Sequence, residues 1–120
     1  MRNRVAAGAL AVLAILPLDR AGAAEPARPE EGAKAIVYGG DQGNCLACHA
    51  MPTLADAEQP GNSGPPLIAM SARFPDKKVL RARIWDATAS NPDTMMPPFG
   101  KHRILTDEQI DQVVEFIYGL

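Results

Sequence analysis

Five consecutive residues, Cys45-Leu46-Ala47-Cys48-His49, constrain this 120-residue chain more than any other stretch. They contain its only two cysteines and one of its two histidines. Cysteines three apart on a helical turn face the same way. Their sulfurs can then add to the two vinyl groups along one edge of a haem. His49, four residues after Cys45, swings to the same side and offers its imidazole to the iron. Cys-x-x-Cys-His is accordingly the pattern of c-type haem attachment. A thioredoxin-like redox pair normally sits beside a βαβ pattern, and no strand periodicity occurs here. A zinc site needs a second pair of ligands, and His102 is the only other histidine.

The first residues read as an export signal. Arg2 and Arg4 precede an apolar run from Val5 to Leu16, followed by Pro17, Asp19 and the small residues Ala21-Gly22-Ala23-Ala24. Basic end, short apolar core and small-residue exit are the parts of a secretory signal. The run is about a dozen residues, shorter than the roughly 20 needed to span a membrane. Cleavage after Ala23 or Ala24 is expected, so that residues 1–24 are the signal and the product is a periplasmic protein without a membrane span. It would leave 9 basic and 13 acidic residues, a net charge near −4. Nucleic-acid binding would call for a basic face. A domain of this size buries a low fraction of its surface and commonly needs a staple. A large apolar cofactor would serve.

The remaining pattern predicts an all-α domain over residues 32–120, behind a flexible Pro- and Glu-rich leader at residues 25–31. A first helix is expected from Glu30 to Tyr38, with Ala33, Ile36 and Val37 on its apolar side and Gly39-Gly40 ending it. A second is expected from Pro75-Asp76 to about Ala89. Its apolar face is Leu80, Ile84 and Ala87, with Lys77, Lys78, Arg81 and Arg83 towards the other side. The strongest pattern lies over Thr106 to Tyr118. Thr106 and Gln109 form a capping box, and Ile110, Val113, Val114 and Ile117 follow the helical period. Residues 50–66 and 90–100 read as long Pro- and Gly-rich loops, of the kind that are usually functional or wrapped on something.

A histidine ligand needs an acceptor for its other ring nitrogen. Gly64-Pro65-Pro66-Leu67 offers one in the Pro65 carbonyl, with Leu67 on the haem face. The second axial ligand is to be found among Met51, Met70, Met95, Met96 and His102. Met51 is too near His49 to reach the opposite face, and Met70 suits a core position. Met96 is preferred because Pro97 forces its backbone to be extended, which can hold the thioether inward. Met95, His102 or an open position are the alternatives. Thioether ligation raises the potential of a haem. Two strong ligands fit electron transfer, whereas an open position would fit an enzyme or gas sensor. The indole N–H of Trp85 could reach a haem propionate, with Arg81 stacked on its ring, or Trp85 could be a packing residue.

Taken in order, these elements resemble class I cytochrome c: first helix, CxxCH, Gly-Pro-x-Leu, middle helix, Met-Pro loop and closing helix. More narrowly, the chain is similar to the SoxX family, monohaem subunits of the SoxAX cytochromes of sulfur oxidation. The residues that carry this are Gly43 to His49, Gly64 to Leu67, Ile84-Trp85-Asp86-Ala87-Thr88, Met95-Met96-Pro97-Pro98-Phe99-Gly100 and Arg103 to Thr106. The resemblance implies one covalent haem c with His49 and Met96 as axial ligands. It implies a SoxA-like haem partner that joins thiosulfate oxidatively to a cysteine of a SoxYZ-like carrier. This chain would accept the electrons and pass them to a soluble cytochrome c. It would be the electron-transfer subunit of an L-cysteine S-thiosulfotransferase-type enzyme without being catalytic alone. A free-standing periplasmic electron shuttle is the alternative.

Overall fold

The structure, a computed structural model, describes residues 28–40 and 42–120. The expected signal segment and residues 25–27 of the expected leader lie outside them. Every regular element described is helical.

Helix α1 runs Pro29–Tyr38. It begins earlier than the sequence pattern suggested, so residues 29–31 form its first turn instead of ending a leader. Pro29 causes this: at the first helical position its missing N–H costs nothing and its fixed φ is already helical. Glu30 and Glu31 complement the positive end of the helix dipole. Gly39, with φ 119°, turns the chain away by a left-handed conformation that residues with a Cβ resist. Ala33, Ile36 and Val37 are the buried face, as the spacing predicts.

Helix α2, Met70–Arg73, is a single turn. Ala69, with φ 50°, leads into it and donates its N–H to the carbonyl of Leu120 at 2.8 Å. Helix α3, Lys77–Trp85, starts on Asp76, whose carboxylate accepts the Lys78 N–H at 2.9 Å. It stops four residues before the expected end. Asp86 takes an extended backbone and its side chain accepts from Thr88 N–H, capping a separate 3₁₀ turn at Ala87–Ala89. A short acceptor competing locally with the helix ladder has this effect.

Helix α4, Asp107–Tyr118, carries the expected capping box. Gln109 N–H donates to Thr106 Oγ1 at 3.2 Å, and Thr106 N–H donates to Gln109 Oε1 at 2.9 Å. Its stripe of Ile110, Val113, Val114 and Ile117 is buried, and each such side chain contributes roughly 1.5–3 kcal/mol. α4 is the common neighbour: α1, α2 and α3 all pack on it. Ion pairs from Arg81 to Asp107 and Asp111 and from Lys77 to Glu115 line the outside of the α3–α4 seam. Thr106→Ala should cost about 1 kcal/mol, read as a lower denaturant midpoint of the holoprotein. An unchanged midpoint would contradict a role for this cap.

Candidate functional site

Cys45–Ala47 forms a 3₁₀ turn between α1 and the long loop. Asn44 Oδ1 accepts the Ala47 N–H at 2.9 Å, and the Cys45 carbonyl accepts both the Cys48 N–H (3.1 Å) and the His49 N–H (2.9 Å). This tight turn places both sulfur-bearing residues and the imidazole on one side. The loop then folds back along the same segment. Gly61 N–H reaches the Leu46 carbonyl at 2.9 Å, Gly64 N–H the Cys48 carbonyl at 2.8 Å, and Leu67 N–H the Ala50 carbonyl at 2.8 Å. Tyr38 OH, at 2.8 Å, and Lys34 both bond Asp56 and tie this loop to α1. Burial and the Asp56 bond push the Tyr38 hydroxyl up to about 12.

His49 Nδ1 lies 2.6 Å from the Pro65 carbonyl oxygen. A carbonyl only accepts, so the proton sits on Nδ1 and the Nε2 lone pair is left for a metal. Gly64 makes the approach feasible. A Cβ there would fall 2.6 Å from His49 Nδ1 and 2.8 Å from Nε2.

Cys45, Cys48, His49, Pro65, Leu67 and Met96 all line one cavity of about 630 Å³. That is within the range that holds cofactor-sized ligands. Most of the wall is apolar, including Ile36, Leu80, Ile84, Leu105, Val113 and Ile117. Burial pushes the Cys45 thiol up to about 11, with Cys48 nearby adding to the effect.

Of the four methionines among the described residues, three reach this cavity: Met70, Met95 and Met96. Met70 Sδ already accepts from Arg73 Nη1 at 3.3 Å. Met95 is 86% exposed at the cavity mouth. Met96 is half-buried and packs on the core, with its N–H held by Thr94 Oγ1 at 3.1 Å. Met51 is buried elsewhere, and His102 is exposed away from the cavity.

Trp85 is not brought to this wall. Its ring lies against Gly100, where a Cβ would overlap the indole, and it borders a shallow groove with Lys78, Arg81 and Ala89. The indole is 39% exposed, at the end of α3. Arg81 is engaged by Asp107 and Asp111, which raise its pKa, instead of stacking on Trp85.

Two residues escaped the sequence reading. Arg73 and Arg83 are the cationic side chains of the cavity wall, Arg73 donating to the Pro66 carbonyl at 2.8 Å and Arg83 to Ser90 Oγ. Arg83 lies three residues after Leu80 and next to Ile84, so its position flanking the apolar stripe was the available signal. For Arg73, inside a one-turn helix, there was none.

The donor set identifies what the cavity fits. Among the described residues no group of three or more His, Cys, Asp or Glu is placed so that it could hold a metal ion. One imidazole and one thioether are too few ligands for a bare ion. A macrocycle that brings its own four nitrogens, joins two thiols and carries carboxylates towards two guanidiniums suits this wall.

Comparison with known proteins agrees. The family model for cytochrome C oxidase, cbb3-type, subunit III matches residues 27–117, and the chain belongs to this family of c-type cytochromes. A chain in the crystal structure of SoxXA from P. pantotrophus is 31% identical, with a TM-score of 0.65 over 79% of this chain and 82% of that one. The protein is a SoxX-like monohaem cytochrome with the class I cytochrome c fold, whose domain carries a covalent haem c. An uncharacterized lipoprotein of Aquifex aeolicus (strain VF5) is 34% identical over 80 residues. The match takes in 67% of this chain and 38% of that relative's length. Among the described residues no helix is long and apolar enough to cross a membrane.

Proposed function

We propose that this chain is the electron-accepting subunit of an exported, SoxAX-like sulfur-oxidation cytochrome. The observation that carries the electron-transfer reading is the convergence of Cys45, Cys48, His49 and Met96 on one apolar cavity. Bound there, the haem supplies a one-electron couple at its iron. Cys45 and Cys48 tether it through thioethers. His49 presents Nε2 to one face, oriented by the Pro65 carbonyl, and Leu67 packs beside it. Met96, on the same cavity wall, would supply a thioether as the second ligand. Arg73 and Arg83 offer charge to the haem carboxylates. With an imidazole and a thioether both offered to the iron, substrate would find no open position there, and the chain would serve to receive and release electrons.

The likeness to SoxXA supports a second haem-bearing chain as partner, with the sulfur chemistry on that partner. Both cysteines here are committed to the tether, so none is spare for carrying sulfur. In this reading thiosulfate is joined to a cysteine of a SoxYZ-like carrier, and the electrons leave this chain for a soluble cytochrome c in the periplasm. The signal segment at residues 1–24 belongs to the same proposal.

A tagged pull-down from the native periplasm, followed by haem staining of a denaturing gel, tests it. Two stained bands in constant ratio are expected. A single band at this chain's mass, with the protein eluting as a monomer, would replace the subunit reading with that of a free shuttle.

A further inference from the structure

The central part of the loop that brings Met96 to the cavity, Asn91–Pro98, makes few hydrogen bonds to the rest of the domain. Among the described residues, no hydrogen bond joins Asn91–Pro98 to anything outside the stretch from Trp85 to Leu105. Inside it, Thr94 N–H bonds the Asn91 carbonyl at 3.1 Å, Asp93 N–H bonds Asn91 Oδ1 at 3.2 Å, and Met96 N–H bonds Thr94 Oγ1. These give the loop shape without tying it to the body of the domain. Apart from the packing of Met96 on the core, its anchors lie at its ends, the first of which is held by the Asn91 N–H bond to the Ala87 carbonyl at 3.1 Å and by Arg83 on Ser90 Oγ.

The far end is densely held. The Trp85 carbonyl accepts both the Gly100 N–H at 3.1 Å and the Lys101 N–H at 3.2 Å. The Trp85 ring lies on Gly100 so closely that no side chain fits there. Asp86, the one buried charged residue among those described, accepts Lys101 Nζ at 2.8 Å and both the N–H and hydroxyl of Thr88. The hydrogen bond from Lys101, helped by that from Thr88, holds the Asp86 carboxyl below its usual range. Surface loops of about 6–16 residues whose ends lie close together are compact units and are frequently functional.

We propose that Trp85, Asp86, Gly100 and Lys101 form a clamp that positions Met96, with the Asp86–Lys101 pair setting how often the thioether leaves the iron. This inference rests on the reading of Met96 as axial ligand. These are positioning residues, since none of the four lines the cavity. Trp85 thereby acquires a role, because its carbonyl and ring together hold the far end of the loop.

Imidazole competes with a thioether for ferric iron, and its apparent affinity scales with the fraction of molecules whose loop is open. The experiment titrates the ferric holoprotein with imidazole while following the far-red thioether-to-iron absorption band. Lys101→Met and Asp86→Asn should each tighten apparent imidazole binding on the order of tenfold, as expected for loss of one charge-assisted hydrogen bond. Lys101→Arg should stay near the parent value. Lys78→Met, which removes an exposed cation bordering the same groove, should leave binding unchanged. Should Asp86→Asn fail to mature, Lys101→Met alone decides, because its side chain is half-exposed and caps nothing. Equal imidazole affinity in Lys101→Met and the parent would overturn the clamp. An equal shift in Lys78→Met would do so too, by reducing the effect to net charge. A parent protein with no thioether band would instead remove the Met96 assignment, and the clamp with it.

Discussion

Met96→Ala should abolish the far-red thioether-to-iron band and lower the reduction potential on the order of a hundred millivolts or more, within the ~0.8 V span that axial ligands command. A neutral, polarizable sulfur favours ferrous iron. Alanine leaves that face to water or another hard donor, which favours the ferric state. The ferrous variant should also bind carbon monoxide readily, where the parent resists. The positions of the other sulfurs explain why no neighbour should rescue it. Met70 Sδ is engaged by Arg73, Met51 lies outside the cavity wall, and Met95 is 86% exposed. Met95→Ala should leave band and potential close to the parent values. If the two alanine variants exchange behaviours, the ligand is Met95.

Gly64→Ala should be nearly as damaging, though it removes no atom. Its Cβ would fall within 2.8 Å of both His49 ring nitrogens. Either the ring turns and the bond to the Pro65 carbonyl breaks, or the loop shifts and loses the Gly64 N–H bond to the Cys48 carbonyl. Overpacking and a lost hydrogen bond together cost about 2 kcal/mol or more. The holoprotein should therefore melt about 10 °C lower or worse, and haem content per polypeptide should fall. Gly119→Ala is the control, because its nearest neighbour would be the Phe116 carbonyl at 3.5 Å. A Gly64→Ala protein with full haem content and an unchanged melting point would contradict the close packing of this loop on the imidazole.

What could be read from sequence depended on whether the physics was local. The capping box of Thr106 and Gln109 and the stripe beginning at Ile110 are decided within one helix, and the structure reproduces both. The turn carrying Cys45, Cys48 and His49 is likewise local. Helix α2 was not visible, because four residues carry no period, and Ala69 enters the left-handed region beside the chain's last residue. The early end of α3 was hidden for a related reason. Leu80, Ile84 and Ala87 do keep helical spacing, but Asp86 finds a better partner in Thr88 and in distant Lys101. The direction of Trp85 follows from that break and from Gly100, so no reading of α3 alone would have supplied it. Arg83 looked like part of a solvated face, and its Cα position at the stripe's edge was enough to bring it to the cavity.

Eight of the side chains that make up the buried core also form the cavity wall: Ile36, Leu67, Met70, Leu80, Ile84, Leu105, Val113 and Ile117. The fold thus has no separate scaffold onto which a prosthetic group is later mounted. Of the two thiols Cys45 is the less accessible, and burial disfavours its reactive thiolate, so attachment is expected to run more easily before the wall closes around it. Because the eight side chains serve both purposes, a chain that lacks the group would leave much of its own core facing an empty cavity.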